Sequence, residues 1–405
     1  MSNKHAPKQQ SSTLNKVCSI FSQVLGLIPK TTFVDAVHQH KAERHSRGFS
    51  SWGQFVAMMF CQLGQAHSLR EITNGLAASE GKLKHLGVPE APKRSTLAYA
   101  NEHRPWQVYE TLFNQLLVRV QGEAKGKQRK FRFKNKLVSL DSTSIDLCAE
   151  VFDWAKYKRT KGAVKLHLVL DHEGYLPSFA VITTGKQHDI TVGRTLRFEP
   201  GTILVIDKGY VDYEWWQQMT EGDVTFVTRL KKDLKWEVVE ERTVPQNRNV
   251  LRDQIIQITP TRKGDPMKLR IVTIWDKEKE EEITFLTNNL ELGATTIAAI
   301  YKDRWQIEIF FKALKQNFRV KTFVGTSANA LKTQIWTALI AMLMLKYLQL
   351  RSTFGWSLSN LVALLRQQLF VYRDMWQWLN DPFQAPPALA GIHDAQLVLG
   401  FGAGM

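Results

Sequence analysis

The sequence has few of the features that mark a secreted or membrane-embedded protein. Only three of its 405 residues are cysteines, and Cys18, Cys61 and Cys148 lie far apart. They fit neither a zinc-site spacing nor a disulfide framework, which favours a reducing cytoplasm. The polar N-terminus MSNKHAPKQQSS lacks the apolar core of a signal peptide. The longest apolar run, Ile335–Leu345, is about half the length that spans a bilayer, so we expect a buried core helix and no membrane partner.

Acidic residues are also scarce relative to basic ones. The chain has 54 Lys and Arg against 38 Asp and Glu, for a formal net charge of +16. This excess favours a polyanionic partner, most simply nucleic acid, although a basic protein without such a partner remains an alternative. A hydrophobic content of 44% indicates a globular chain, and its length predicts roughly two to four domains.

The first third of the chain predicts a disordered tail over 1–12 and a helical domain over 13–124. Apolar residues recur at helical spacing between Trp52 and Leu63. The sequence Ser68-Leu-Arg-Glu71 has the form of a capping box, which predicts a helix start near Leu69. These short helices indicate a DNA-binding domain of helix-turn-helix type, or else a plain helical scaffold.

A further helix is predicted to start at Ser95, within the basic segment KRSTLAYANEHR. In a helix-turn-helix unit this segment would present Lys93, Arg94 and Arg104 to DNA. A basic linker over 125–136 follows, in which two phenylalanines interleave with cations that include Lys130 and Arg132. It is either a solvated connection or a segment that tracks DNA phosphates.

The chain then changes to an α/β pattern. Five strands are predicted, with helical spacers near 189–198 and 212–220, which indicates a mixed sheet with flanking helices. The predicted strands are 137–141, 163–171, 176–184, 202–207 and 224–230. A β-rich block over 231–290 reads as an insertion. We therefore predict an α/β core over 137–230 and 291–352, followed by a C-terminal helical region over 353–405.

Two aspartates, Asp141 and Asp207, each end a short and wholly apolar predicted strand. Such strands are buried on both faces in covered parallel sheets, and ligands bind at their carboxyl ends. If the two strands are neighbours, both carboxylates lie at one edge of the sheet. The alternative for either aspartate is a turn residue or a helix N-cap.

The segment IYKDRWQIEIFFKAL carries a third carboxylate, Glu308, within the spacing Tyr301-x2-Arg304-x3-Glu308-x6-Lys315. At about 100° per residue, all four side chains lie within about 60° on one face of a predicted helix. Polar groups on such a helix suggest that Glu308 holds a metal and that the cations hold phosphate. Three carboxylates favour hard ions, Mg²⁺ or Mn²⁺. Two such ions could activate an attacking oxygen and stabilise the leaving oxygen at a phosphodiester.

These residues resemble the DDE transposases of bacterial insertion sequences, in particular the family named after insertion sequence four. The Tyr-x2-Arg-x3-Glu-x6-Lys signature is typical of that family. Its second-aspartate motif resembles Asp207-Lys208-Gly209-Tyr210, and its first-aspartate strand resembles LVSLDSTSIDL, which contains Asp141. The stretch HSRGFSSWGQFVAMMFCQLGQAHSLREI resembles the N-terminal domain of part of the family.

The resemblance implies a ribonuclease-H-like core and cut-and-paste movement of an insertion sequence in a bacterial cytoplasm, on the nucleoid. Asp141, Asp207 and Glu308 would hold two Mg²⁺ or Mn²⁺ ions, while Tyr301, Arg304, Lys315 and Lys208 would contact DNA. The partners would be terminal inverted repeats, target DNA and a second copy of the chain in a synaptic complex. Two alternatives remain open: a ribonuclease-H-like nuclease without strand transfer, and a catalytically inactive DNA-binding derivative.

Overall fold

The computed structural model describes residues 18–383, except 45, 47, 80, 126–129, 159–160, 247 and 260–265. The predicted disordered tail at 1–12 lies outside the described residues. So do residues 384–405 of the predicted C-terminal region and four residues of the predicted basic linker.

Helices dominate the chain up to residue 124, as the sequence predicts. They are α1 Ile20–Gly26, α2 Lys30–Gln39, α3 Ser51–Leu63, α4 Leu69–Ala77, α5 Arg94–His103 and α6 Gln107–Ala124. The capping box is confirmed because the Ser68 hydroxyl accepts a hydrogen bond from the Glu71 N–H, and α4 begins at Leu69. The helix predicted to start at Ser95 begins one residue earlier, at Arg94.

Ten strands form a single mixed sheet within the described residues. The first six are β1 Leu137–Leu147, β2 Lys156–Lys158, β3 Lys161–Asp171, β4 Leu176–Thr184, β5 Ile203–Ile206 and β6 Thr225–Arg229. The last four are β7 Glu237–Glu241, β8 Val250–Ile258, β9 Met267–Asp276 and β10 Glu281–Thr287. Their order is β2-β3-β1-β5-β6-β10-β9-β8-β7, with β4 also paired to β3.

Strand direction changes at the centre of this sheet. The pairs β1–β5 and β5–β6 are parallel, whereas β1–β3 and all the remaining pairs are antiparallel. The strands of the predicted insertion do not form a second sheet. Instead, β10 pairs with β6, so that β7–β10 widen the central sheet.

The helices that flank the sheet complete the α/β architecture. They are α7 Asp189–Gly193, α8 Tyr213–Glu221, α9 Ala294–Asp303, α10 Trp305–Asn317, α11 Ala328–Arg351, α12 Leu358–Gln368 and α13 Met375–Asn380. The helical spacer predicted over 189–198 is shorter than expected, because α7 ends at Gly193, a poor helix former.

Helix α11 forms the centre of the largest hydrophobic core. Its length and composition would allow it to cross a membrane, but 83% of its apolar window is buried inside the protein. Every residue of Ile335–Leu345 is buried, which confirms the predicted core helix. Because α11 packs against α3, α5 and α6, the N-terminal helices share one core with the helices that follow the sheet.

Candidate active site

The pairing of β1 with β5 brings two of the predicted carboxylates to the same edge of the sheet. The parallel register ends at Leu140 opposite Ile206, and the next residues along the two strands are Asp141 and Asp207. All eight residues of the paired segments are buried, as expected of strands covered on both faces. The strand register therefore places the two aspartates next to each other, as the sequence predicts.

One detail of the first strand differs from the sequence prediction. Asp141 does not end β1, which continues to Leu147 alongside the antiparallel strand β3. The apolar run ends at Leu140 because β5 no longer covers the strand beyond it. Asp141 therefore lies in mid-strand, at the point where the pairing with β5 ends and the strand continues in antiparallel pairing with β3.

The guanidinium of Arg304 connects this edge to the third carboxylate. Its Nη1 donates to Oδ2 of Asp141 over 3.1 Å, and its Nη2 donates to Oε1 of Glu308 over 2.6 Å. The Arg304 side chain is only 11% exposed, against 20% for Asp141 and 34% for Glu308. A largely buried cation thus joins two of the three predicted catalytic carboxylates.

The electrostatics at Asp141 reflect this crowding. Burial raises the pKa of Asp141 to about 6, and the negative charges of Asp207 and Glu308 act in the same direction. The Ser142 N–H, which donates to Oδ1 over 2.8 Å, and the Arg304 charge both oppose the rise in pKa. All three carboxylates therefore interact electrostatically at one site.

Asp207 also makes a local contact. Its Oδ2 accepts a 3.4 Å hydrogen bond from the Gly209 N–H, which caps a short 3₁₀ turn over Lys208–Tyr210. The capping alternative considered for this aspartate is thus observed. It leaves the remaining carboxylate lone pairs free for a ligand, so the two roles are compatible.

The signature segment forms two helices rather than the single helix that its spacing predicts. Helix α9 ends at Asp303 and α10 begins at Trp305. At the junction, the Arg304 N–H bonds to Tyr301 O and the Ile307 N–H bonds to Arg304 O, which are three-residue spacings that tighten the chain.

Both halves of the signature still contact the sheet, at β10 and at β1. Tyr301 packs against the Phe285 ring at 4.9 Å, and the Arg304 guanidinium lies over the Tyr301 ring at 5.6 Å. At the other end, Lys315 Nζ donates to the Ser144 carbonyl over 2.9 Å.

The donor chemistry of the three carboxylates suits a hard divalent ion, since oxygen ligands are what Mg²⁺ and Mn²⁺ prefer. Their arrangement is not a closed metal cage. Within the part of the chain that the structure describes, no three His, Cys, Asp or Glu side chains lie close enough to hold one ion. The Arg304 guanidinium instead bonds to both Asp141 and Glu308, so a metal held by these two carboxylates would compete with this cation.

The other basic residues predicted to contact DNA differ in their surroundings. Lys93, Arg94, Arg132 and Lys208 are exposed, the first two at the start of α5. Arg104 is half-buried and donates to Ser46 Oγ and to the Phe49 carbonyl, so its guanidinium is held by the protein itself.

Lys130 likewise has a protein partner, because its Nζ lies 2.5 Å from Oδ1 of Asp303. Asp303 is a residue that the sequence interpretation missed. It lies inside the signature segment, directly before Arg304, and this position was the only sequence feature that could have identified it. Its side chain is 1% exposed and also contacts the Nδ1 of His172 at 2.6 Å.

Lys165 and His167 do not face the three carboxylates. They pair with Ser144 and Ser142 in the β1–β3 register, one residue out of phase with Asp141, and so lie on the opposite face of the sheet. There Lys165 Nζ and Ser142 Oγ both contact Oδ1 of Asp189, at 3.0 and 2.9 Å.

Comparison with known proteins identifies the family to which this site belongs. The transposase DDE domain matches residues 132–344, and a domain of unknown function (DUF4372) matches residues 17–89. A structure of a piggyBac transposase synaptic complex with hairpin DNA aligns with a TM-score of 0.43 at 10% identity. The alignment covers 92% of this chain and 81% of that chain.

Several relatives in bacteria carry the same family name. A transposase of Sinorhizobium fredii, y4zB, is 31% identical over 294 residues, which cover 71% of this chain and 80% of the relative. A protein named as a transposase for insertion sequence element IS5377 of Geobacillus stearothermophilus is 29% identical, over 63% of this chain and 67% of the relative. The DDE domain spans more than half of the chain, so the protein belongs to the DDE transposases of bacterial insertion sequences, with their ribonuclease-H-like fold and polynucleotidyl transferase or endonuclease activity.

Proposed function

We propose that this transposase moves its own insertion sequence by a cut-and-paste route, and that it belongs to the insertion-sequence-four branch of the family. The observation that carries the proposal is the placement of Asp141 and Asp207 at the carboxyl end of paired parallel strands, with Glu308 joined to Asp141 through the Arg304 guanidinium. The substrates would be the terminal inverted repeats and target DNA, both double-stranded.

The three carboxylates would hold two Mg²⁺ or Mn²⁺ ions. Such ions, when bound, activate an attacking oxygen and stabilise the leaving oxygen of a phosphodiester. The protein's own residues align the DNA for this displacement. Water as the attacking group nicks the strand, whereas a 3′-hydroxyl joins the element to its target.

The signature cations would hold phosphates beside the cleaved bond. Arg304 is suited to this role because its two Nη groups, which now donate to two separate carboxylates, can both donate to one phosphate. Lys315 and the exposed Lys208 would add point charges, and Tyr301 would fix the position of Arg304 through the contact of their side chains. On DNA binding, Arg304 would pass from carboxylates to phosphate and leave the carboxylates to the metal.

Lys93, Arg94, Arg104, Lys130 and Arg132 would add contacts along the DNA outside the catalytic site. Cutting both ends of an element together favours a homodimer in a synaptic complex. The protein would act in the bacterial cytoplasm, on the nucleoid.

The test is excision of a marked segment from a plasmid that carries the DNA flanking the gene, with Mg²⁺ or with EDTA. Glu308→Gln keeps the size of the side chain but removes a charge that would bind metal. It should reduce excision by at least about a hundredfold, as metal-site changes do. Glu237→Gln, on the exposed strand β7, removes a charge of the same kind far from the site and should cleave like the wild type.

Binding to the flanking DNA at matched salt in EDTA completes the design. Glu308→Gln should bind as the wild type does, because the glutamate serves the chemistry and not the affinity. Equal loss of binding and cleavage would contradict the metal-ligand role. Cuts away from the element ends would instead favour a nuclease that does not join strands.

A further inference from the structure

A cavity of about 470 Å³ opens at the amino end of β1, where Leu137 lines it, on the side of the sheet covered by α9. This volume is typical of a pocket for one small organic group and is too small for a duplex. The wall nearest the solvent comes from the described part of the basic linker. The linker residues that line it are Lys125, Lys130, Phe131, Phe133, Lys134, Asn135 and Lys136.

Two aromatic rings form part of this wall. Phe131 and Phe133 stack on each other, with ring centroids 5.1 Å apart and planes inclined by 17°. Both are half-buried against the core beneath α9 and both border the cavity. A stacked pair at the mouth of a cavity offers an aromatic face to a planar group.

The cations around the cavity fall into two classes. Lys130 is paired with Asp303 at 2.5 Å and Lys136 with Asp171 at 3.8 Å. Lys125 and Lys134 are exposed and, among the described residues, have no carboxylate partner within ion-pair distance. These two ammonium groups remain available to an anionic ligand.

A buried chain of hydrogen bonds fixes the inner end of the cavity. Asp303 Oδ2 lies 2.6 Å from His172 Nδ1, and His172 Nε2 lies 2.7 Å from Ser139 Oγ. The order is that of a hydrolytic triad, but Ser139 is fully buried and cannot reach a substrate. Burial works to raise the pKa of Asp303, yet the hydrogen bonds from His172 and Lys130 hold it below the usual value.

The same chain ties the cavity to the catalytic edge. Ser139 precedes Asp141 by two residues on the same face of β1, roughly 7 Å along the strand. Asp303 immediately precedes Arg304, which contacts Asp141. Leu137, which lines the cavity, lies four residues or roughly 13 Å along β1 from Asp141, so one single strand can extend from the cavity to the active site.

We propose that this cavity binds one unpaired nucleotide of single-stranded DNA, with its base on the Phe131–Phe133 pair and its phosphate on Lys125 and Lys134. Aromatic faces beside free cations are the usual means by which proteins hold single strands without regard to sequence. The strand must be unpaired because a base inside a duplex has no free face. The inference rests on the proposed function, since it places the nucleotide on the strand that enters the active site.

The experiment measures binding of a fluorescein-labelled 12-nucleotide oligo(dT) by anisotropy in EDTA, over a series of salt concentrations. Phe133→Leu keeps an apolar side chain but removes the aromatic face, and should weaken binding by about tenfold. Phe133→Tyr should restore it. The difference should vanish with an oligonucleotide of the same length whose residues are abasic, because it has no base to stack.

The phosphate contacts are tested with the double variant Lys125→Gln and Lys134→Gln. Loss of two contacts should reduce the slope of log affinity against log salt by about 1.4. The double variant Lys277→Gln and Lys279→Gln, in the exposed turn between β9 and β10, removes the same charge elsewhere. It should keep the wild-type slope, and thermal melting of each variant controls for folding.

Equal affinity of Phe133→Leu and wild type for oligo(dT) would overturn the stacking site. Equal slopes for the two lysine double variants would overturn the phosphate contacts. Competition by deoxythymidine monophosphate as strong as that by the oligonucleotide would indicate a free-nucleotide site and reject the single strand. Since no step requires cleavage, failure here is distinct from failure of the plasmid excision assay.

Discussion

At the scale of single residues, Arg304 has the central position in the site. It donates to Asp141 and to Glu308, both of which are partly shielded from water. Without a cation between them, these carboxylates would repel each other and favour protonation. In the DNA-free protein Arg304 therefore supplies the positive charge that a divalent ion would otherwise provide. The sequence suggests a phosphate contact for Arg304 but not this role within the protein.

The variant Arg304→Gln should change how metal binding depends on pH. Burial and the neighbouring carboxylates raise the pKa of Asp141 to about 6, and Arg304 opposes that rise. The carboxylate is ionised above this pKa and protonated below it, so Mn²⁺ affinity should hold above pH 6 and fall below. Removing Arg304 moves the fall to higher pH. Isothermal titration with Mn²⁺ between pH 5 and pH 8 measures both profiles.

At pH 8 the same variant should bind Mn²⁺ more tightly, by about fivefold, because a competing cation has been removed. The matched control is Arg252→Gln, which removes an exposed guanidinium paired with Glu282 on the distant part of the sheet. Its profile should follow that of the wild type. Coincident profiles for Arg304→Gln and wild type would show that the guanidinium does not compete with the metal.

At the scale of elements, the sequence predicts the two strands that carry Asp141 and Asp207 to one end of the sheet. The apolar runs before Asp141 and Asp207 encode burial on both faces, which is typical of central strands in a covered parallel sheet. The extension of β1 to Leu147 was not predicted, since the polar run Asp141-Ser-Thr-Ser144 interrupts the apolar pattern and is held in the strand by pairing with β3. The break between α9 and α10 at Arg304 could not be predicted either, because apolar residues recur at helical spacing on both sides of it.

The start of α4 is an element that local sequence does specify, and it provides a test. Ser68 accepts a hydrogen bond from the Glu71 N–H, and Glu71 Oε2 accepts one from the His67 N–H. Ser68→Ala removes the cap and should lower the free energy of unfolding by about 1 kcal/mol. Ser68→Asp keeps an acceptor at the cap and should lie close to the wild type. Urea denaturation measures both, and equal midpoints for Ala and Asp would show that the cap contributes nothing.

At the scale of the whole molecule, α11 joins the N-terminal helices to the rest of the protein. Its apolar composition predicts a core helix, but no local pattern says which elements surround it. Those contacts are distant in sequence: Trp336 stacks on Trp106 at 6.4 Å and packs against Phe113 at 5.4 Å. Removing the N-terminal helices would therefore expose the core of the helices that follow the sheet.

Trp336→Ala should accordingly destabilise the whole molecule and not only one region. The side chain is 1% exposed, and loss of a buried aromatic of this size costs about 3–5 kcal/mol. Since α11 touches α3, α5 and α6, hydrogen exchange should quicken in both 51–63 and 107–124, together with that in α11 itself.

The matched control is Trp305→Ala, which removes the same side chain where it is 58% exposed. Surface changes of this kind stay within about 0.5 kcal/mol, so its melting curve should overlie that of the wild type. If Trp336→Ala quickened exchange in α11 while α3 and α6 kept their protection, the N-terminal helices would be stable by themselves. We expect protection to fall in α3 and α6 as well as in α11, because a cavity at Trp336 removes packing from both sides of the interface that these helices share.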